Sequence, residues 1–89
     1  MNSNTAQSDE TLKAVPLCDL PLRRPARIVA IKGDAHLETT LREMGFAEED
    51  EVEIMGLGPL GGSPLSVRLN RMLVALRRGE AGALLARLL

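Results

Sequence analysis

The side chains that could carry out chemistry are few and lie far apart along the chain. His36 is the only histidine and Cys18 the only cysteine, and no His or Cys stands four residues from His36. A metal ion needs several such donors at short spacing. A nucleophilic cysteine needs a neighbouring base and a donor for the developing oxyanion, and His36 is the only histidine that could serve as that base. We therefore predict a protein that is not an enzyme, with no catalytic residue, no cofactor and no metal site within the chain.

Two further segments could be read as binding sites for a cation or a phosphate. The acidic run at residues 48–51 (EEDE), followed by Glu53, could offer carboxylate oxygens to a hard cation. It lacks the spaced Asp, Asn and Gly pattern of a calcium loop, so a solvated turn is the simpler interpretation. The glycine-rich residues 56–62 lack the Gly-Lys-Ser/Thr ending of a phosphate-binding loop and precede a strand pattern instead of a helix. Neither segment predicts a small-molecule site.

The same glycine- and proline-rich segment is a better candidate for contact with another protein. The predicted partner-binding residues are Leu57, Pro59, Leu60, Gly61, Gly62, Ser63 and Pro64. Glycines let another backbone approach closely, prolines restrict the segment before binding, and Leu57, Leu60 and Leu65 offer apolar area. The sequence leaves an alternative open, in which Leu57 and Leu60 plug the end of a barrel.

Five short strands are predicted to hold this segment in place, over residues 26–32, 51–54, 65–70, 72–77 and 83–88. Apolar and polar residues alternate in the second and third, as they do in strands with one buried face. Asn70 can make the reversal into the fourth strand because Asn tolerates the left-handed backbone of tight turns. Residues 15–22, interrupted by two prolines, are predicted to be extended or to form a single turn. Residues 80–82 are predicted to form one helical turn.

One short helix is predicted between the first two strands. Asp34 is a good N-cap, since its carboxylate can accept from the unpaired N–H groups of the first turn. Leu37, Leu41 and Met44 fall at i, i+4 and i+7 and form one apolar stripe. Gly45 then supplies the left-handed residue that ends the helix.

Composition limits the chain to one small domain. Of its 89 residues 45% are hydrophobic, but Phe46 is the only aromatic, so we expect a stability of about 5 kcal/mol or less. A net charge of −1 and a single aromatic side chain disfavour nucleic-acid binding. The sequence shows no signal peptide and no bilayer-length apolar run, so a cytoplasmic location is expected. Residues 1–14 are predicted to be a disordered tail.

Four segments in this order resemble the ferrous iron transport protein A (FeoA) domain family. They are residues 17–20 (LCDL) with 26–28 (ARI), residues 41–46 (LREMGF), residues 58–64 (GPLGGSP) and residues 75–81 (ALRRGEA). No one segment is specific alone, so the resemblance rests on all four together. The chain departs from the family where Arg24 and Asp50 replace the usual glycines before the first two strands. Asn70 also stands where Gly is common.

The resemblance implies a mainly β fold, a small SH3-like barrel with one inserted α-helix over residues 15–89. It also implies an accessory protein of bacterial ferrous iron uptake that binds the cytoplasmic GTP-binding portion of the ferrous iron permease and modulates it. Such a protein would meet the membrane only through its partner. The alternative is a metal-sensing module related to the SH3-like C-terminal domain of iron-dependent repressors. That function would require a DNA-binding domain, and this chain has no helix-turn-helix segment.

Overall fold

A computed structural model describes residues 13–89, whose regular structure consists of six strands, two α-helices and a 3-10 turn. The elements are β1 (Val15–Pro16), the 3-10 turn (Leu17–Asp19), β2 (Ala26–Ile31), α1 (Ala35–Glu43), β3 (Glu51–Gly58), β4 (Gly62–Leu69), β5 (Met72–Leu76), α2 (Arg78–Ala81) and β6 (Leu84–Leu88). The strands form one antiparallel sheet in the order β1-β6-β2-β3-β4-β5. The predicted mainly β fold with an inserted helix is confirmed.

The sheet has one strand more than the five predicted. Val15 and Pro16, expected to be extended or in a turn, pair with Ala86 and Leu85 of β6. A proline is tolerated there because β1 is an edge strand, where a missing N–H leaves no gap in the ladder. The predicted tail at residues 1–14 falls almost entirely outside the described residues.

One face of the sheet closes over a core built almost wholly from aliphatic side chains. The fully buried large residues are Phe46, Leu17, Ile28, Leu41, Ile54, Leu65, Leu69, Leu76, Leu84, Val52 and Val67. Paired strands place these residues together across the sheet, as in Val52 opposite Leu69. No polar or charged residue between positions 13 and 89 is buried. The hydrophobic effect therefore acts on a core that contains no polar side chain in need of a partner.

Three irregularities bend the strands around this core. The register shifts between Ile28 and Ala30 in β2, and twice in β3, after Ile54 and after Leu57. Each shift marks a β-bulge or similar irregularity, which increases the local twist and lets a short strand turn a corner. The second shift in β3 lies where the strand passes beyond the core.

Helix α1 begins and ends as predicted. The Asp34 carboxylate accepts a hydrogen bond from the Leu37 N–H at 2.8 Å. Gly45 has a φ of +110°, and the Phe46 N–H donates to the Leu41 carbonyl at 3.1 Å. Phe46 is 1% exposed, so the C-terminal end of α1 places the largest side chain of the core.

Between positions 13 and 89, three residues other than glycine adopt a left-handed backbone in the tight turns. They are Arg23 with a φ of 61°, Glu49 with 77° and Asn70 with 55°. Arg24 and Asp50, which stand where the family usually has glycine, each follow one of these residues and have no positive φ, while the left-handed backbone expected for Asn70 is confirmed. Hydrogen bonds to distant residues stabilise two of these strained conformations. The Arg23 N–H donates to the Ile54 carbonyl and the Glu49 N–H donates to the Ile28 carbonyl, both at 2.8 Å.

We predict that Gly45→Val lowers the free energy of unfolding by about 1 kcal/mol or more, because a β-branched residue is strained at this φ. The cost should come from the backbone, since a Cβ at this position would lie 3.5 Å from Leu69, an ordinary contact. Gly79→Ala is the matched control, because Gly79 lies in α2 with nothing within 4 Å of an added Cβ. Urea unfolding measures both variants. An unchanged midpoint for Gly45→Val would contradict this account of the helix end.

We further predict opposite effects for glycine at two adjacent positions. Glu49→Gly should stabilise, because the left-handed strain of about 1–2 kcal/mol exceeds the entropy cost of glycine, about 0.5–1 kcal/mol. Asp50→Gly should destabilise by about 1 kcal/mol, because the Asp50 carboxylate accepts from the Ala47 N–H at 3.0 Å. Thermal unfolding compares the pair. Stabilisation by Asp50→Gly instead would indicate that Asp50, and not Glu49, has the left-handed backbone.

Candidate partner-binding site

The glycine- and proline-rich segment forms the end of a β-hairpin. Gly61 and Gly62 both have positive φ, 64° and 88°, as a type I′ turn requires. The Leu60 N–H donates to the Ser63 carbonyl at 3.2 Å, and the Ser63 N–H donates to the Leu60 carbonyl at 3.1 Å. We call residues 57–64 the hairpin tip. The strand predicted from residue 65 begins earlier, because this turn lets the pairing start at Gly62.

Two contacts fix the shape of the hairpin tip. A Cβ on Gly58 would overlap the Ser63 carbonyl, so only glycine fits where the two strands approach. The Ser63 hydroxyl accepts a hydrogen bond from the Arg78 N–H at 3.1 Å, which joins the hairpin tip to the first residue of α2. The hairpin tip is therefore held both by its own backbone and by a neighbouring element.

The exposure of the leucines decides between the two interpretations of this segment. Leu60 is 78% exposed and Leu57 is 54% exposed, so neither plugs the barrel. Leu65, the third leucine offered as apolar contact area, is fully buried and belongs to the core. The site thus consists of two solvent-facing leucines on a constrained turn, and partner binding by these residues stays a prediction.

The two side chains suited to nucleophilic or metal chemistry lie on different elements. His36 is exposed on the first turn of α1, and Cys18 is partly buried in the 3-10 turn. Burial, and after it the nearby Asp19 carboxylate, raise the pKa of the Cys18 thiol above its ordinary value. That thiol is consequently protonated and poorly nucleophilic at neutral pH.

The described part of the chain assembles no metal-binding cluster. Nowhere in residues 13–89 do three or more His, Cys, Asp or Glu side chains come together in a way that could hold a metal ion. The donor set that zinc favours is therefore not provided by these residues. Neither helix formed by these residues has the length and apolar character of a membrane span.

Arginines form ion pairs with two of the four residues of the acidic run, Glu48 and Glu51, and with Glu53. Arg42 donates to both carboxylate oxygens of Glu48 at 3.0 Å, and this pairing lowers the pKa of Glu48. Arg68 contacts Glu53 at 2.6 Å and Glu51 at 3.5 Å. These ion pairs agree with a charged surface turn and offer no set of free carboxylates to a cation.

We predict that Gly58→Ala destabilises the protein by about 1–3 kcal/mol, because the added methyl forces the hairpin backbones apart. Gly56→Ala is the matched control on the same strand, since a Cβ there would meet no atom within 4 Å. Urea unfolding gives the stability, and amide chemical shifts of residues 60–63 report the turn. Equal behaviour of the two variants would contradict the close approach at Gly58.

Three solved structures place this architecture among known folds. An FeoA-like protein from Clostridium acetobutylicum is 25% identical, with a TM-score of 0.79 over 86% of this chain and 88% of that one. The FeoA of Stenotrophomonas maltophilia, a procaryotic SH3 domain protein complexed with zinc, is 33% identical, with a TM-score of 0.68 over 79% and 86% of the two chains. A manganese-dependent transcriptional repressor matches at 17% identity and a TM-score of 0.76 over 85% of this chain and 42% of that one.

These likenesses confirm the SH3-like fold. The repressor, being so distant in sequence, shows the fold alone. A comparison with curated protein sequences gives no match. The sequence model of the FeoA domain matches residues 15–88. Since that match covers nearly all of the described residues, the chain belongs to the FeoA domain family.

Proposed function

We propose that this protein is a cytoplasmic accessory protein of ferrous iron uptake that binds the GTP-binding domain of the ferrous iron permease through the hairpin tip. Membership of the FeoA family supports the role in ferrous iron transport. The relative from Stenotrophomonas maltophilia has been suggested to act as a bacterial ferrous iron transport activating factor. The hairpin tip supplies the contact surface.

The observation that carries the proposal is the exposure of Leu60, which directly precedes the Gly61–Gly62 turn and is 78% exposed. Burying a leucine side chain against a partner is worth about 1.5–3 kcal/mol. The turn is already ordered by its paired glycines and the two hydrogen bonds between Leu60 and Ser63. Little conformational entropy is then lost on binding, so more of that free energy appears as affinity.

Leu57 enlarges the contact beyond a single side chain. It precedes Gly58 on β3, and one of its methyl groups lies within 4.0 Å of where a Gly62 Cβ would be. Leu57 and Gly62 therefore lie side by side in the hairpin tip. Two exposed leucines on the same rigid hairpin tip resemble the small central clusters that dominate the energy of protein interfaces.

The mechanism follows from differential binding. A protein that binds one conformation of the permease domain more tightly than another shifts the population toward that conformation. This function needs no catalytic group on the accessory protein, and we propose that it is not an enzyme. The metal-sensing alternative has weaker support, because the likeness to repressors extends to the fold alone.

We predict that Leu60→Glu leaves the fold intact and weakens binding to the soluble domain of the permease by about tenfold or more, about 1.4 kcal/mol. The fold should survive because the new carboxylate stays in water. Leu22→Glu is the matched control, since Leu22 is another exposed leucine, 45% accessible and outside the hairpin tip. Circular dichroism reports the folding and calorimetry the binding, with and without guanine nucleotide.

The outcomes separate clearly. Loss of binding with native circular dichroism, and with normal binding by Leu22→Glu, supports the proposal. Unchanged binding by Leu60→Glu would remove the hairpin tip from the interface. Equal loss in both variants would point to a general effect of added negative charge and would also contradict the proposal.

A further inference from the structure

A second surface of the molecule, separate from the hairpin tip, has the features of a strand-docking site. β5 lies at one end of the sheet order and pairs only with β4. Five consecutive residues pair without a register shift, from Met72 opposite Leu69 to Leu76 opposite Leu65. The other edge of β5 pairs with no strand formed by residues 13–89.

The turn into β5 determines which backbone groups face this free edge. Asn70 and Arg71 connect the strands, and only Asn70 has a positive φ, as in a two-residue type II′ turn. In such a hairpin Leu69 and Met72 form the hydrogen-bonded pair. Hydrogen-bonded and non-hydrogen-bonded pairs alternate along an antiparallel ladder, so Leu73 and Ala75 belong to non-hydrogen-bonded pairs. Their N–H and C=O groups therefore point away from β4. Four backbone hydrogen-bonding groups are thus open to a further strand.

This edge lacks the usual protections against pairing. Proteins commonly protect an exposed edge by a very short strand, a proline, a bulge or a charged side chain. The opposite edge follows this rule, because β1 has two residues and one is Pro16. β5 has none of these features within residues 72–76, and its Met72 and Leu73 are 55% and 71% exposed. An apolar, regular edge is the surface on which β-strand addition occurs.

The charges at the two ends of β5 indicate what kind of strand could bind to this edge. Arg71 precedes the strand and Arg77 follows it, and both side chains are exposed. Neither forms an ion pair with any other residue of the described range, whereas Arg68 on the adjacent strand is paired with Glu53 at 2.6 Å. A bound strand with carboxylates at both ends would meet an arginine at each end.

The same arginines disfavour a second copy of this chain as the occupant. Two β5 edges related by a twofold axis and paired over their full length place Arg71 of one copy opposite Arg77 of the other, twice. Like charges directly opposite each other across a strand pair are destabilising. Charge complementarity therefore favours a different protein over self-association.

We propose that β5 is a docking edge for an extended segment of a partner protein, apolar at its centre and carrying carboxylates at both ends. The segment adds a seventh strand to the sheet through the open backbone groups of Leu73 and Ala75. This contact goes beyond the binding proposed for the hairpin tip and does not depend on it.

The test uses the full-length protein labelled with ¹⁵N and the synthetic peptide Asp-Glu-Val-Thr-Val-Thr-Glu-Asp. Its matched control carries Lys in place of each Asp and Glu. At low ionic strength the acidic peptide should bind about tenfold more tightly than the control. It should also slow amide hydrogen exchange at Leu73 and Ala75, the residues whose N–H groups point outward. Equal binding of the two peptides, or protection confined to another strand, would overturn the proposal.

Variants distinguish backbone pairing from attraction by charge alone. Arg71→Glu should weaken binding of the acidic peptide by about fivefold or more, while Arg24→Glu, an exposed arginine before β2, should not. Ala75→Pro removes an outward N–H and leaves the hydrogen bonds to β4 in place. This variant should therefore have the native circular dichroism spectrum but no longer bind the peptide. Binding that survives Ala75→Pro would contradict strand addition. Protection of Leu73 and Ala75 in the free protein, with a dimer by sedimentation, would identify a second copy as the occupant and overturn the proposal.

Discussion

The β3–β4 hairpin is the element on which the rest of the fold depends. Each of its strands has eight residues, and together they provide five of the large buried core side chains, Val52, Ile54, Leu65, Val67 and Leu69. Neighbouring turns attach to β3 through backbone hydrogen bonds, from the Arg23 N–H to Ile54 and from the Asn70 N–H to Glu51. A core with one aromatic side chain covers only part of this hairpin. The hairpin tip lies beyond the core, and its Leu57 and Leu60 face solvent.

That geometry gives the protein two surfaces of different character. The hairpin tip presents the side chains of Leu57 and Leu60, and would recognise a partner through apolar contact at a rigid turn. The free edge of β5 presents backbone groups flanked by arginines, and would recognise an extended chain with acidic ends. Each surface is held by the sheet and needs no catalytic group. Both therefore suit an accessory protein that acts by binding.

Elements whose signals are local were predictable from the sequence. Helix α1 is an example, because Asp34 and Gly45 fix its ends through contacts within a few residues. The strand around Val67 is another, since its alternating pattern shows directly which face is buried. In both cases the side chains that determine the element lie within it.

Features that depend on distant partners were not predictable in the same way. β1 forms because Val15 pairs with Ala86, and no residue close to Val15 in the sequence indicates that pairing. The left-handed backbone falls on Glu49, whose N–H donates to the carbonyl of the distant Ile28, and not on Asp50, where the family usually has glycine. The exposure of Leu60 likewise depends on where the core ends. For the candidate site, the sequence therefore named the residues but could not say which of them face solvent.

An NMR titration can show whether the hairpin tip contacts the permease, as we propose. The ¹⁵N-labelled protein is titrated with the unlabelled, soluble GTP-binding domain of the permease, and backbone amide shifts and line widths are followed. We expect perturbations concentrated at residues 57–64, with the amides of β2 and β6 little changed. Perturbations confined to α1 and β2, with residues 57–64 unaffected, or no perturbation at all, would contradict the proposal.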